Sequence, residues 1–349
     1  MEHGVRPGEV RNLGPVAGTG ASGGIPGIGA ADLGEVVRLP NGSQVAVFGD
    51  CFGGDRVGAG PHYPSTAVPV TFDEGGRPVF GAPLTGPRGS RNPLFVPPRR
   101  ARGFNTLPAG AVDLADRTYL LVVGTHALRP AGGSWLVKVT DDPSSGWRPV
   151  RGSWRPGDYA GGGQSQISGY RAEDGYVYIV ADSFDRTRPV TLYRTEPARF
   201  TNRSAWQPYV RFADGGLGWG TPRQAAVGLS ATNFGELSFR QVDGAAVLAG
   251  FNVRSGPDGA VEIWVADHPT EIFRRGRRTV LMQQSDPHGP NFVPQNYGGY
   301  ILPGSSLDRM KIFASQWNTL TDERGVPLGA PYNTQLVVAN VRRFRSSPL

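Results

Sequence analysis

The same strand pair recurs five times along this chain, and no other feature of the sequence constrains its fold as tightly. Each copy has a strand, a short turn, a second apolar strand ending near a small residue, and later a third strand. The second strands fall at residues 45–50, 120–125, 177–182, 246–251 and 311–316. Asn41-Gly42, Asp174-Gly175 and Asp243-Gly244 precede three of them, with Ala115-Asp116 and Ser306-Leu307-Asp308 as weaker turns before the others. Asn-Gly and Asp-Gly suit tight hairpins because both central residues must take positive φ. A repeat of roughly 45–75 residues built of such hairpins reads as the blades of an all-β, five-bladed β-propeller. The innermost strands of such a ring start around one central pocket, so a functional site is expected there.

The repeat overrides the length prior of roughly 100–200 residues per domain, which suggests two domains for 349 residues. Gly 51 and Pro 31 punctuate short strands, while 16 Phe, 11 Tyr and 7 Trp supply a core. Residues 1–28 read as an irregular lead-in and 29–345 as a single five-bladed catalytic domain. Gly-x-Gly spacing within 17–24 is a poor phosphate loop, since no strand precedes it and no helix follows. Third strands are expected at 190–195, 261–266 and 334–340, and single helical turns at 196–200 and 269–273.

The formal charge of +7 comes almost wholly from arginine, Lys138 and Lys311 being the lysines. Arginine clusters at 99–102, 274–278 and 342–345 fall in loops or at the chain end without a nucleic-acid motif, so no nucleic-acid partner is expected. No apolar run reaches the ~18 residues of a membrane span. Cys51 is the single cysteine; it forms no intramolecular disulfide and reads as a packed thiol. His3, His62, His126, His268 and His288 show no metal-ligand spacing, so neither a metal nor a cofactor is expected. Met1-Glu2-His3-Gly4 leads into a polar stretch without the apolar segment of a secretory signal.

A carboxylate inside an apolar strand costs free energy unless it is paired or hydrogen-bonded. Asp32 and Asp50 occupy such positions on neighbouring strands of the first hairpin. Glycoside hydrolysis needs two carboxyl groups flanking the scissile bond, one protonated to assist departure and the other to activate water or attack. Asp32 and Asp50 are the expected pair, and Glu236 is a third candidate near the start of the fourth repeat. Aligning the repeats sets Ser165 and Phe234 level with Asp32, with Gln164 and Asn233 beside them. The second-strand ends add Asp182 and Gln316, and His126 follows one of them. Tyr297, Tyr300, Trp219 and Trp317, with the amides of Asn296 and Asn318, complete a plausible sugar cleft. The expected substrate-binding set is therefore Glu236, Asn233, Gln164, Asp182, His126, Tyr297, Gln316 and Trp317. Each has a structural alternative: Asp50 and Asp182 suit turns in which they accept backbone N–H bonds, Glu236 a solvated strand, and the aromatics blade packing.

The ordered series Ala31-Asp32-Leu33-Gly34, Pro40-Asn41-Gly42, Phe48-Gly49-Asp50-Cys51-Phe52, Asn233-Phe234-Gly235-Glu236-Leu237-Ser238, Tyr297-Gly298-Gly299-Tyr300 and Ser315-Gln316-Trp317-Asn318 resembles an actinobacterial family. That family was long grouped as a domain of unknown function and is now classed as glycoside hydrolase family 183. The resemblance covers about residues 29–341. It implies an endo-D-arabinanase cleaving α-D-arabinofuranosyl linkages in mycobacterial arabinogalactan and lipoarabinomannan, so D-arabinan is the implied partner. Its two essential aspartates carry onto Asp32 and Asp50. Cys51 stands where Thr or Ser is expected, which leaves the carboxylates intact. Secreted and phage members imply an extracellular or phage-associated protein. Analogy with other five-bladed hydrolases suggests inversion, with Asp32 as base and Asp50 as acid. The alternative is a non-catalytic carbohydrate-binding propeller, such as a phage tail component recognising host-wall arabinan. A protein-interaction scaffold lacks a positive sequence feature.

Overall fold

Each of the five second strands expected from the hairpin pattern is a strand in the computed structural model, which describes residues 4–84, 86, 94–317 and 331–342. After β1 (Val10–Gly18), a first meander holds β2 (Ala30–Arg38), β3 (Gln44–Phe52), β4 (His62–Phe72) and β5 (Pro78–Phe80). A second holds β6 (Asn105–Asp113), β7 (Thr118–His126) and β8 (Arg129–Lys138). The third runs β9 (Gln166–Arg171), β10 (Val177–Asp182), β11 (Thr191–Thr195), β12 (Gln207–Arg211) and β13 (Leu217–Trp219). The fourth is β14 (Phe234–Val242), β15 (Ala245–Asn252), β16 (Ala260–Ala266) and β17 (Arg277–Gln283). The fifth is β18 (Asn296–Ile301), β19 (Met310–Trp317) and β20 (Tyr332–Ala339). Helical structure among the described residues is confined to short 3-10 turns, including Pro197–Arg199 and Pro269–Glu271 where single turns were expected. None of it is long and apolar enough to cross a membrane.

The hairpin turns form where Asp, Asn and Gly tolerate positive φ, as at Asp243 (48°) and Gly244 (79°). Among the described residues four hydrogen-bonded sheets result. The second and third meanders share one of them, because β6 and β9 meet in parallel at Val112–Gly169 and Asp113–Tyr170. The N-terminal lead-in is not irregular as the sequence suggested. Its β1 pairs antiparallel with β20, so the beginning and end of the described chain share the fifth sheet. Register breaks around Pro15 disrupt the alternation that would have marked β1 as a strand.

Period-2 alternation makes each strand face both its neighbours. On β3, Val45 and Val47 enter a cluster with Leu120, Val122 and Trp135 of the second meander. Ala46 and Phe48 enter another with Phe313 and Leu336 of the fifth. The same sharing joins the second meander to the third, the third to the fourth, and the fourth to the fifth. Five apolar layers therefore lie between successive meanders in a cycle. Each fully buried Val, Leu, Ile or Phe contributes about 1.5–3 kcal/mol.

Bulges interrupt the first strand of four meanders at matching places: Leu33-Gly34, Ala109-Gly110, Glu236-Leu237 and Gly298-Gly299. Gly110 shows why glycine is needed at one of them. Its φ is 102°, and a Cβ there would lie 1.7 Å from the Ile167 carbonyl oxygen. Buried hydroxyls tie the bulged strands to neighbouring meanders. Ser315 Oγ accepts from Leu33 N–H (2.8 Å), Ser168 Oγ from Phe239 N–H (2.9 Å) and Ser238 Oγ from Ile301 N–H (3.0 Å). Below them a buried ion pair joins Arg240 of β14 to Glu35 of β2.

Candidate active site

The bulges turn side chains of the first strands into one cavity of about 1240 Å³, lined by residues of all five meanders. Seven non-glycine lining residues hold positive φ: Leu33 (66°), Asp50 (42°), Ala127 (46°), Leu128 (63°), Arg186 (58°), Glu236 (50°) and Gln295 (51°). Such backbone costs about 1–3 kcal/mol per residue and persists only where packing and hydrogen bonds enforce it. Two of them, Asp50 and Glu236, are carboxylates, a third is Arg186, and Leu33 directly follows Asp32.

Asp32 and Asp50 line the same cavity in opposite surroundings. Asp32 is buried, and its Oδ2 accepts a 2.7 Å hydrogen bond from the Tyr297 hydroxyl, while Oδ1 meets no donor at hydrogen-bond geometry among the described residues. Burial, and then the charge of Asp50, push its carboxyl up to about 8 despite that bond. Burial and the adjacent Asp32 hold the Tyr297 phenol well above its ordinary range, so it stays a donor. Asp50 is partly exposed, with Oδ1 2.8 Å from His62 Nε2 and 3.0 Å from Asn105 Nδ2. Phe52 stacks on the His62 ring at 4.9 Å and fixes its plane. Side chains, not the backbone N–H groups of a turn, thus satisfy Asp50.

Glu236 lines the same cavity from β14. Its Oε1 accepts from Arg186 Nε (3.1 Å) and Nη2 (2.6 Å), whereas its buried Oε2 has no partner among the described residues. The Arg186 guanidinium also lies over the rings of Phe251 (5.0 Å) and Tyr297 (5.6 Å). Glu236 is therefore a paired wall residue, not a solvated one. Trp317 and Leu128 are exposed apolar groups lining the cavity, and Trp317 meets Tyr332 edge-on at 5.9 Å.

Tyr297 and Trp317 line the cavity as expected, while other anticipated residues stand outside its lining. Gln164 lies before β9, where its carbonyl accepts from the buried Arg203 (2.6 Å), and Gln166 lines the cavity instead. The repeat alignment sets Ser165 level with Asp32, one residue short of Gln166, because β9 lacks the bulge of the other first strands. Asn233 forms an isolated bridge with Pro189, and its carbonyl accepts from Val253 N–H. Gln316 is turned inward, donating to Pro294 O (3.1 Å) and accepting from Gln335 (2.9 Å). His126 is exposed at the end of β7, and the next residues, Ala127 and Leu128, turn into the cavity. Asp182 is fully buried, and neither carboxylate oxygen has a hydrogen-bond partner among the described residues. Burial, with nearby Glu236, pushes its carboxyl well above the usual range. Asn318 lies outside the described residues.

His62, Asn105 and Arg186 were missed. Their partners are 12, 55 and 50 residues away in sequence, so no local spacing marks them. Cys51 is a buried thiol 3.5 Å from the Gly49 carbonyl, and burial pushes it far from its reactive form. Among the described residues, no group of three or more His, Cys, Asp or Glu is arranged to hold a metal ion.

A model of the domain of unknown function DUF4185 matches residues 21–337. An uncharacterized 35.9 kDa protein from the asd 3' region of Mycolicibacterium smegmatis is 39% identical over 335 residues, covering 92% of this chain and 95% of that one. A Bacteroides ovatus protein described as a hydrolase superposes with a TM-score of 0.57 at 15% identity, covering 94% of this chain and 86% of that one. The α-L-arabinofuranosidase PaAbf62A of Podospora anserina, solved with cellotriose, gives 0.52 at 13% identity, covering 95% and 97%. At these identities the two structures speak to the fold alone.

Proposed function

The chain belongs to the DUF4185 family, and we propose that it is a glycoside hydrolase, an endo-D-arabinanase acting on α-D-arabinofuranosyl linkages of arabinogalactan and lipoarabinomannan. One observation carries the reading: two carboxyl groups share one cavity, and their surroundings set them apart, as acid–base cleavage of a glycosidic bond requires. The sequence resemblance to glycoside hydrolase family 183 names the linkage and the polymer. A mycobacterial relative fits that substrate, and an enzyme of wall polysaccharide works outside the cytoplasm or is carried there by a phage.

The roles run opposite to the split expected by analogy. Asp32, held neutral at pH 7 by burial, donates its proton to the glycosidic oxygen as the bond to the anomeric carbon breaks. Asp50, aligned by His62 and Asn105, takes a proton from the attacking water or bonds to the anomeric carbon itself. Tyr297 then stabilises the Asp32 carboxylate that has lost its proton. The cavity exceeds the ~300–1,000 Å³ of a small-ligand site and so accommodates several sugar rings. Trp317 and Leu128 supply apolar platforms for them.

The architecture we assign is a five-bladed propeller. The cycle of five apolar layers and the pairing of β1 with β20 support it.

Digesting purified arabinogalactan and separating the products tests the function. A ladder of arabino-oligosaccharides is expected. Release of single sugars only makes the enzyme exo-acting. Tight binding with no product favours the carbohydrate-binding alternative and refutes hydrolysis.

A further inference from the structure

Beside the central cavity lies a groove of about 640 Å³, and Arg129, Asp185 and Thr187 line both. It runs between the second and third meanders, with the start of β8 on one side and the β10–β11 loop on the other. Glycines 157, 161 and 162 line it between those walls. Gly161 (φ 68°) and Gly162 (φ 83°) hold backbone that excludes most side chains, and a Cβ on Gly157 would lie 2.3 Å from the Pro130 carbonyl oxygen. A ligand therefore reaches the backbone itself.

The polar groups around this groove are of both signs. Arg129 and Arg188 are exposed, and their guanidinium groups make no hydrogen bond or ion pair among the described residues. The carboxylates of Asp158 and Asp185 line the same groove, and Asp185 Oδ1 accepts from Thr187 Oγ1 at 2.7 Å. Two cations and two anions leave no net field to select a charged ligand. They offer separate donors and acceptors instead, which suits the hydroxyl groups of a neutral polyol.

We infer that this groove binds the sugar units of the polymer that lie beyond the central cavity. Chain length is thereby read between the second and third meanders. The inference rests on the central cavity being the site of hydrolysis. It explains how a long substrate is held while cleavage occurs within its chain: the groove continues the cavity sideways, past Arg129, and leaves the acid pair undisturbed.

Ala131→Trp fills the groove and Arg188→Ala removes one guanidinium, and neither residue lines the central cavity. On long D-arabinan, kcat/KM should fall about tenfold, mainly through KM, the loss expected for one hydrogen bond from a charged donor. On a short arabino-oligosaccharide that the central cavity accommodates alone, both variants should match the parent. Equal losses on the two substrates, or no loss on the polymer, overturn the inference. If the parent protein releases nothing from D-arabinan, the hydrolase reading fails by itself. The groove is then read by affinity electrophoresis through D-arabinan: weaker retardation of both variants supports it, and unchanged retardation overturns it.

Discussion

Asp32→Asn tests the acid assignment through stability as well as turnover. The Asp32 carboxyl sits at about 8 in the fold against an ordinary value of 3.8. Through that window the native protein keeps a proton that the unfolded chain has released. Stability therefore falls as pH rises, by about 1.4 kcal/mol per unit from this group. Between pH 5.5 and 7.5 the loss amounts to about 2–3 kcal/mol. Asparagine keeps the shape and removes the titration, so the variant should lose less stability over the same interval by about that amount. Urea unfolding at the two pH values measures the difference. Glu35 and Asp182, also pushed up by burial, slope the same way but are present in both proteins and cancel. Turnover on D-arabinan should drop about 10²–10⁴-fold with the fold intact, the usual loss of acid–base assistance. Identical pH slopes in the two proteins would mean that Asp32 is ionised in the fold. The acid assignment would then fail even if activity were lost.

Asp50→Asn should also cost two orders of magnitude or more in turnover, about the general-base contribution, and Glu236→Gln less, since Glu236 is already paired with Arg186; a dead Glu236→Gln beside a near-normal Asp50→Asn moves the chemistry to β14. Tyr297→Phe removes a hydrogen bond that favours ionised Asp32, so the basic limb of kcat/KM against pH should rise by about one unit; an unmoved limb belongs to another group. Arg240→Met strands Glu35 in the interior and should destabilise the fold by about 3–5 kcal/mol at pH 8, and by less at pH 5, where Glu35 takes up a proton; equal unfolding free energies at both values contradict this. Chelator should leave turnover unchanged, and a loss restored by Ca²⁺ or Zn²⁺ sinks the metal-free mechanism.

What the sequence alone determined was the local periodicity. Alternating apolar runs behind Asn-Gly and Asp-Gly turns dictate hairpins, because strand pairing and turn conformation depend on residues a few positions apart. The second strands and the pair Asp32 and Asp50 were legible for that reason: both carboxylates lie on one hairpin. The tertiary structure decided what depends on long-range neighbours. β1 finds its partner only at the other end of the chain, and His62, Asn105 and Arg186 meet their carboxylates only after the meanders pack. Gln166 reaches the cavity in place of Ser165 and Gln164 because the presence or absence of a bulge shifts a strand's register, and composition does not announce it. Which carboxyl group holds its proton was likewise hidden. A carboxyl group's proton affinity follows from its burial and the groups around it: burial and the charge of Asp50 raise it for Asp32, and the hydrogen bond from Tyr297, on a distant strand, lowers it.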